Sequence, residues 1–331
     1  MNMKQWLRTA PSQHKAMPIL SYPGTQLTGR TVNALVHDGA LQTECMRAVA
    51  QRWDALASVS LMDLSVEAEA FGSPVRFEAD EIPCVTETII SEGDDPAALR
   101  VPKVGEGRTG EYIKAIEGAH KCIDKPIFAG SIGPFSLAGR LLDISEIMVL
   151  CYEEPELVHG VLEKATAFLV EYNTALRAAG ADGLIMAEPA AGLLSPAMNA
   201  EFSVPYVRRI VQALETDEFA VIYHNCGNTL SLLESILETG ASAFHFGNAV
   251  DMAEVLRLIP ADVPVLGNID PAGQLRNGTP ESVRAATLAL LEQCAGHKNF
   301  IISSGCDIPP GAPPENIDAF FKAVEDFYNN K

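Results

Sequence analysis

The 331-residue sequence predicts an α/β fold, a single (β/α)8 barrel of the TIM type, and three observations carry that expectation. Eight short apolar segments alternate with longer segments of helical period, the pattern of repeated βαβ units. No Gly/Ser linker or compositional break interrupts them, so residues 1–331 are expected to form one domain. The first apolar segment is followed by SYPGT rather than a Gly-rich phosphate-binding turn, which argues against an open doubly wound sheet.

The first stave is placed at 17–22 (MPILSY) and the second at 57–63 (ASVSLMD). Residues 71–104 do not fit the repeat. Their extended pieces at 74–77 and 85–90 read as a β-hairpin insertion after strand 2, followed by a polar loop covering one end of the barrel. The run GEGRTG at 105–110 matches GxGxxG, yet no apolar strand precedes it and Glu106 would face a pyrophosphate. It is read instead as a loop into a helix that begins near Glu111. The third stave is 126–131 (PIFAGS), and a long helical period at 155–179 leads to the fourth, 183–188 (GLIMAE). Helical periods at 195–214, 230–238, 252–258 and 280–294 separate the remaining staves: 220–226 (AVIYHNC), 243–248 (AFHFGN), 264–268 (PVLGN) and 300–304 (FIISS). An amphipathic helix at 314–328 closes the chain.

Composition narrows the function. With 24 Lys plus Arg against 43 Asp plus Glu, the net charge of −19 repels phosphate backbones and anionic lipid, so nucleic acid and membrane surfaces are excluded as partners. No apolar run reaches the roughly 18 residues of a membrane span, and the start lacks the order of a signal peptide. An odd number of scattered cysteines, seven, does not form a disulfide framework and suits a reducing cytoplasm.

In a (β/α)8 barrel chemistry gathers at the carboxyl ends of the strands. Asp63, Glu188, His224, Asn225, Cys226, Asn248, Asn268, Asp270 and Cys306 fall there. Within His224-Asn225-Cys226-Gly227, residues two apart on a strand share a face, so His224 and Cys226 project together as half of a zinc site. Cys306, after the eighth stave, supplies a third donor, and Glu188, ending the fourth, an oxygen ligand. Strands four and eight lie across the barrel from each other, so a metal reached from both sits at the mouth, near the axis. A structural zinc would use closely spaced CxxC pairs, and none occurs. His245 and the other five cysteines are read as packing.

On these residues the sequence resembles the uroporphyrinogen decarboxylase superfamily, specifically its zinc-dependent methyltransferase branch, which includes the methylcorrinoid:coenzyme M methyltransferases of methylotrophic methanogenesis. The segment from Asp63 to Gly72, Gly130 to Ala138, Glu188-Pro189, Leu194-Ser195-Pro196, Phe202 and Pro205-Tyr206 are similar to family segments, and His224-x-Cys226 with distant Cys306 resembles the branch's zinc motif. The decarboxylases carry an N-terminal Arg-Gln-Ala-Gly-Arg stretch for porphyrin carboxylates; here Ser21-Tyr-Pro-Gly-Thr-Gln26 stands instead. Their late Gly-His-Gly is replaced by Ser304-Gly305-Cys306. An octa-acid substrate needs cationic clamps, so decarboxylation is not expected. The cobalamin-independent methionine synthases resemble the same site but are longer and two-barrelled.

The resemblance implies transfer of a methyl group from methylcobalamin, or another corrinoid held on a corrinoid-binding protein, to a thiol acceptor such as coenzyme M. Coordination to zinc would deprotonate that thiol, whose free pKa is near 8.5. Glu188 is expected as a displaceable fourth ligand that can accept its proton, and Asp63 as a residue orienting the acceptor or a ligand. A folate acceptor, a methylated small-molecule donor, and a related protein without decarboxylase activity stay open as alternatives.

Overall fold

The computed structural model describes residues 1–329. Seven parallel strands form one curled sheet in the order β1 (Ser58–Val59), β4 (Ile127–Ile132), β5 (Gly183–Ala187), β6 (Ala220–Asn225), β7 (Ala243–Phe246), β8 (Val265–Ile269) and β9 (Phe300–Ser304). Between β1 and β4 the chain makes a separate antiparallel ladder of two strands, β2 (Val75–Arg76) and β3 (Cys84–Val85). Its second strand is shorter than the predicted 85–90.

The first predicted stave, 17–22, is not a strand. Pro18 has no N–H to donate, so a regular ladder fails there. The segment still bridges the two sheet edges. Met17 N–H donates to the carbonyl of Ile302 at 3.0 Å, Ile19 N–H to the Ser304 hydroxyl at 3.1 Å, and Leu56 N–H to the carbonyl of Ala16 at 2.9 Å. The second predicted stave shortens to Ser58–Val59 because the partner amide of Gly130 takes the Ser60 hydroxyl instead of a backbone carbonyl.

Helices match their predicted periods closely at Pro155–Ala178, Met252–Leu258, Pro280–Cys294 and Pro314–Asn329. The helix predicted near Glu111 begins at Thr109, inside GEGRTG, and ends at Cys122. The predicted 195–214 helix divides at Ser203 into Pro196–Phe202 and Val204–Leu214, since Pro205 cannot complete a hydrogen bond back across the junction. The 230–238 period becomes a short 3₁₀ turn and the helix Leu233–Leu237.

Two apolar layers result. The larger lies between sheet and helices. The smaller fills the inside of the curl with Met17, Ile19, Val59, Phe128, Ile185, Ala187, Ala220, Ile222, Ala243, Leu266 and Ile301, closed at the amino-terminal ends by Met3 and Leu7. These inward positions recur every second residue along each strand. Continuing the same count upward reaches His224 on β6, His245 on β7, Asn268 on β8 and Ser303 on β9, all buried. The polar layer therefore sits on top of an apolar plug.

Ile222 occupies the centre of that plug with no solvent exposure. Truncating Ile222→Ala should destabilise the protein by about 2–5 kcal/mol, and Ile222→Val by about 0.5–1.5 kcal/mol. Urea unfolding of both variants checks the gradation.

Candidate metal centre

His224 is an inward residue at the top of β6, and the period carries on to Cys226 just beyond the strand. Asn225, between them, points the other way. Its side-chain amide donates to the carbonyl of Glu188 at 2.6 Å, and its oxygen accepts from Gly227 N–H at 2.9 Å, turning the chain immediately after Cys226. Cys306 arrives from the end of β9. Gly305 N–H donates to the carbonyl of Ile269 at 2.6 Å, which anchors the approach. Space for Cys226 depends on Gly247: a Cβ there would lie 2.6 Å from the Cys226 Cα.

The ligand atoms of His224, Cys226 and Cys306 all lie within 4.8 Å of one another. His224 is buried, whereas both cysteines are half-buried, so the group opens on its sulfur side. His224 Nε2 is buried with no hydrogen-bond partner, which is costly for a polar atom unless something else occupies its lone pair. The hydrogen bond from Cys306, together with the adjacent His224, pulls the Cys226 thiol well below its ordinary pKa, while the same sulfur contact and burial push Cys306 up. A divalent cation bound here would hold both sulfurs ionised. Two sulfurs and a nitrogen form a donor set that suits a borderline-soft ion such as zinc, with a position left for another ligand.

Glu188 stands outside this group of three. Its carboxylate accepts from the amides of Phe135 at 2.7 Å and Ser136 at 3.0 Å, and from the Ser203 hydroxyl at 3.3 Å. It thus takes the orphan donors at the start of the helix Pro134–Leu142, a position that favours a negative charge. A strand-end carboxylate expected to seek a metal is instead claimed by that helix. Burial still pushes its pKa up to about 7 against the pull of these donors.

Asp63 is likewise engaged. One oxygen accepts from Ser65 N–H and its hydroxyl; the other takes Arg108 at 2.5 Å and the Tyr112 hydroxyl at 2.9 Å. Arg108 also pairs with Glu69 at 2.6 Å, donates to the Ser65 hydroxyl at 2.8 Å, and lies over the ring of Phe77. Arg108 belongs to GEGRTG, the run read from the sequence as a loop into a helix. Nothing in its flanking polar residues marks it as buried.

Three further groups escaped the sequence reading. His245, taken for packing, lies 2.8 Å from His224 through their Nδ1 atoms and 2.8 Å from the Ser303 hydroxyl through Nε2. The two-residue period along β7 turns it inward, and the register with β6 brings it level with His224. Asp307, beside Cys306, accepts from the Ser21 hydroxyl at 3.1 Å, and burial raises its carboxyl to about 8. Glu67 accepts from the Ser131 hydroxyl at 3.0 Å and Ile132 N–H at 3.1 Å, leaving its second oxygen buried and unpartnered; burial lifts it to about 7.

The family model "Uroporphyrinogen decarboxylase (URO-D)" matches residues 13–327. The methylcobamide:CoM methyltransferase MtbA of Methanosarcina acetivorans is 28% identical over 270 residues, covering 80% of this chain and 78% of that protein. A uroporphyrinogen decarboxylase of Pseudoalteromonas translucida is 26% identical, covering 92% of this chain and 88% of its own. Among solved structures, a methyltransferase from Methanosarcina mazei superposes with a TM-score of 0.87 over 99% of both chains at 22% identity, a likeness of fold.

The raised carboxyl of Glu67 makes stability depend on pH. Its folded pKa of about 7 exceeds its unfolded value near 4.3, so the folded protein binds the extra proton between these limits. Stability should therefore fall as pH rises from about 4.5 to 7, by up to about 1.4 kcal/mol per pH unit for one such group. Glu67→Gln removes this contribution. Urea titrations at pH 5, 6 and 7 should give a shallower decline for the variant than for the unaltered protein.

Proposed function

The chain belongs to the uroporphyrinogen decarboxylase family, and from that premise we propose that it is a zinc-dependent methyltransferase moving a methyl group from a methylated corrinoid to a small thiol. The observation that carries this reading is the convergence of His224, Cys226 and Cys306 around an imidazole nitrogen with no other partner. The relatives that act on methylcobamide and coenzyme M support the same chemistry. In the full reading the chain is one (β/α)8 barrel domain. The segment 17–22 completes it as the first stave, between the edges β1 and β9, and 71–104 is an insertion. The seven free cysteines fit a cytoplasmic setting.

Zinc bound by these residues would supply a Lewis-acidic centre that keeps an acceptor thiol ionised at neutral pH. His224 contributes a neutral donor through Nε2. Cys226 and Cys306 contribute negative charge, which keeps the site electron-rich toward a methyl electrophile. Glu188 holds the start of the helix Pro134–Leu142 against the strand end that leads to Cys226 through Asn225. Asp63 and Arg108 lock the chain after β1 to the loop before Thr109. Positioning is the role these two carboxylates fit. A corrinoid is too large for a barrel whose interior is packed with side chains, so the donor is presented at the mouth by a separate corrinoid-binding protein.

A decarboxylase acting on an octa-acid would need free cations at the mouth. The buried guanidinium there, Arg108, is already committed to Asp63, Glu69 and Ser65. That occupancy favours methyl transfer.

Methyl transfer from free methylcobalamin to a panel of thiols and folates, with and without zinc, tests the proposal by absorbance. Zinc-dependent demethylation with a thiol is the expected result, and a folate-only response would move the acceptor to that class. Cys306→Ser should keep the fold by circular dichroism and lose more rate than the roughly 10–100-fold seen when an outer partner of a ligand is removed. An unfolded Cys306→Ser protein together with no transfer to any acceptor would instead indicate a structural metal.

A further inference from the structure

His245 has no part in the chemistry above, yet it is fully buried and touches both arms of the donor group. Its ring meets that of His224 edge-on, at 74° with centroids 4.6 Å apart. Its Nδ1 is 2.8 Å from His224 Nδ1, and its Nε2 is 2.8 Å from the hydroxyl of Ser303, three residues before Cys306.

The proton positions follow from one contact. His224 Nδ1 also lies 3.3 Å from the backbone carbonyl of His245, and a carbonyl can only accept. The proton of His224 therefore sits on Nδ1. His245 Nδ1 must then accept, so the proton of His245 sits on Nε2 and is donated to Ser303. This leaves His224 Nε2 bare, as its lack of any partner also indicates. The opposite order would bury an Nε2–H with nothing to receive it.

We infer that His245 is a positioning residue that fixes the His224 tautomer and ring orientation, turning a bare Nε2 toward the two sulfurs, and that Ser303 in turn fixes His245. The inference rests on the metal reading of His224, Cys226 and Cys306. It adds a hydrogen-bonded relay Ser303–His245–His224 that spans from the strand preceding Cys306 to the strand preceding Cys226. A ligand histidine whose other nitrogen is held in this way binds metal more tightly than a freely rotating one.

The test uses metal affinity and spectroscopy. Zn²⁺ binding is measured by competition with a chromophoric chelator, and the ligand field by the visible spectrum of the Co²⁺-loaded protein. His245→Leu removes the acceptor for His224 Nδ1–H and should weaken Zn²⁺ binding about 10–100-fold, with an altered Co²⁺ spectrum. His245→Asn places an amide oxygen near the position of Nδ1 and should recover most of the affinity. Should the leucine variant not fold, Ser303→Ala, which leaves His245 Nε2 without its acceptor, carries the test with an intermediate loss. Zn²⁺ affinity and a Co²⁺ spectrum unchanged in His245→Leu, or an asparagine variant no better than leucine, would overturn the inference. With leucine unfolded, unchanged binding in Ser303→Ala would do the same. Failure of the unaltered protein to take up either ion would overturn the metal reading, and this inference with it.

Discussion

The two-residue period of the strands inside the curled sheet is the constraint on which the site depends. Each inward series begins with apolar residues, such as Ala220 and Ile222 on β6, and ends one step higher in a polar residue, His224. Parallel register then brings His224 level with His245, and Asn268 level with Ser303. A slip of one residue in any of these strands would turn its polar group into the outer layer of helices. Burial of so many polar side chains is tolerable only when they are partnered. His224, His245 and Ser303 partner one another, and Asn268 donates to the backbone carbonyls of Gly247 and Val250.

A different logic governs the carboxylates around the mouth. Glu188 and Asp63 both end up satisfied by groups of the scaffold: amides at a helix start in one case, a guanidinium and a tyrosine hydroxyl in the other. Removing one partner of a pair such as Asp63 and Arg108 would leave the other charge buried and uncompensated, which is why such pairs define a conformation even where they add little net stability. Burial raises the carboxyls of Glu67 and Asp307, as it does that of Glu188, against the pull of their hydrogen bonds. The donor group thus lies among acids that are either fully occupied or inclined to hold a proton, and neither kind competes with the sulfurs for a soft cation.

Much of the fold was legible because strand and helix periods differ and few residues contradict them. Strands β4 to β9 coincide with apolar runs that lack an internal proline. The failures have local causes. Pro18 prevents a ladder in a run that otherwise reads as a strand, and Pro205 divides a continuous helical period. In the site, His224, Cys226 and Cys306 were readable from strand ends, since donor type and spacing are sequence properties. His245 was not, because Phe244 and Phe246 make it look like one polar interruption of a core strand; only alignment with β6 reveals its neighbour. Arg108 was hidden for a converse reason. Its polar surroundings suggest exposure, and its burial is decided by Asp63, forty-five positions earlier. Glu188 was readable as a strand-end acid, but the competing helix start is a matter of packing.

Similarity along the whole chain does not choose a chemistry here, because methyltransferases and decarboxylases both align with most of it. The fold supplies a mouth and a direction of approach, and the residues at the strand ends decide what happens there. In this chain the direction of approach is itself set by burial. His224 is enclosed and held from behind by His245, while Cys226 and Cys306 are half-open. In the proposed reaction a thiol would meet the group from the sulfur side, where a bound divalent ion would offset the charge of the sulfurs. The same geometry that leaves the sulfurs accessible is the physical reason to connect the donor set with the proposed transfer to a thiol.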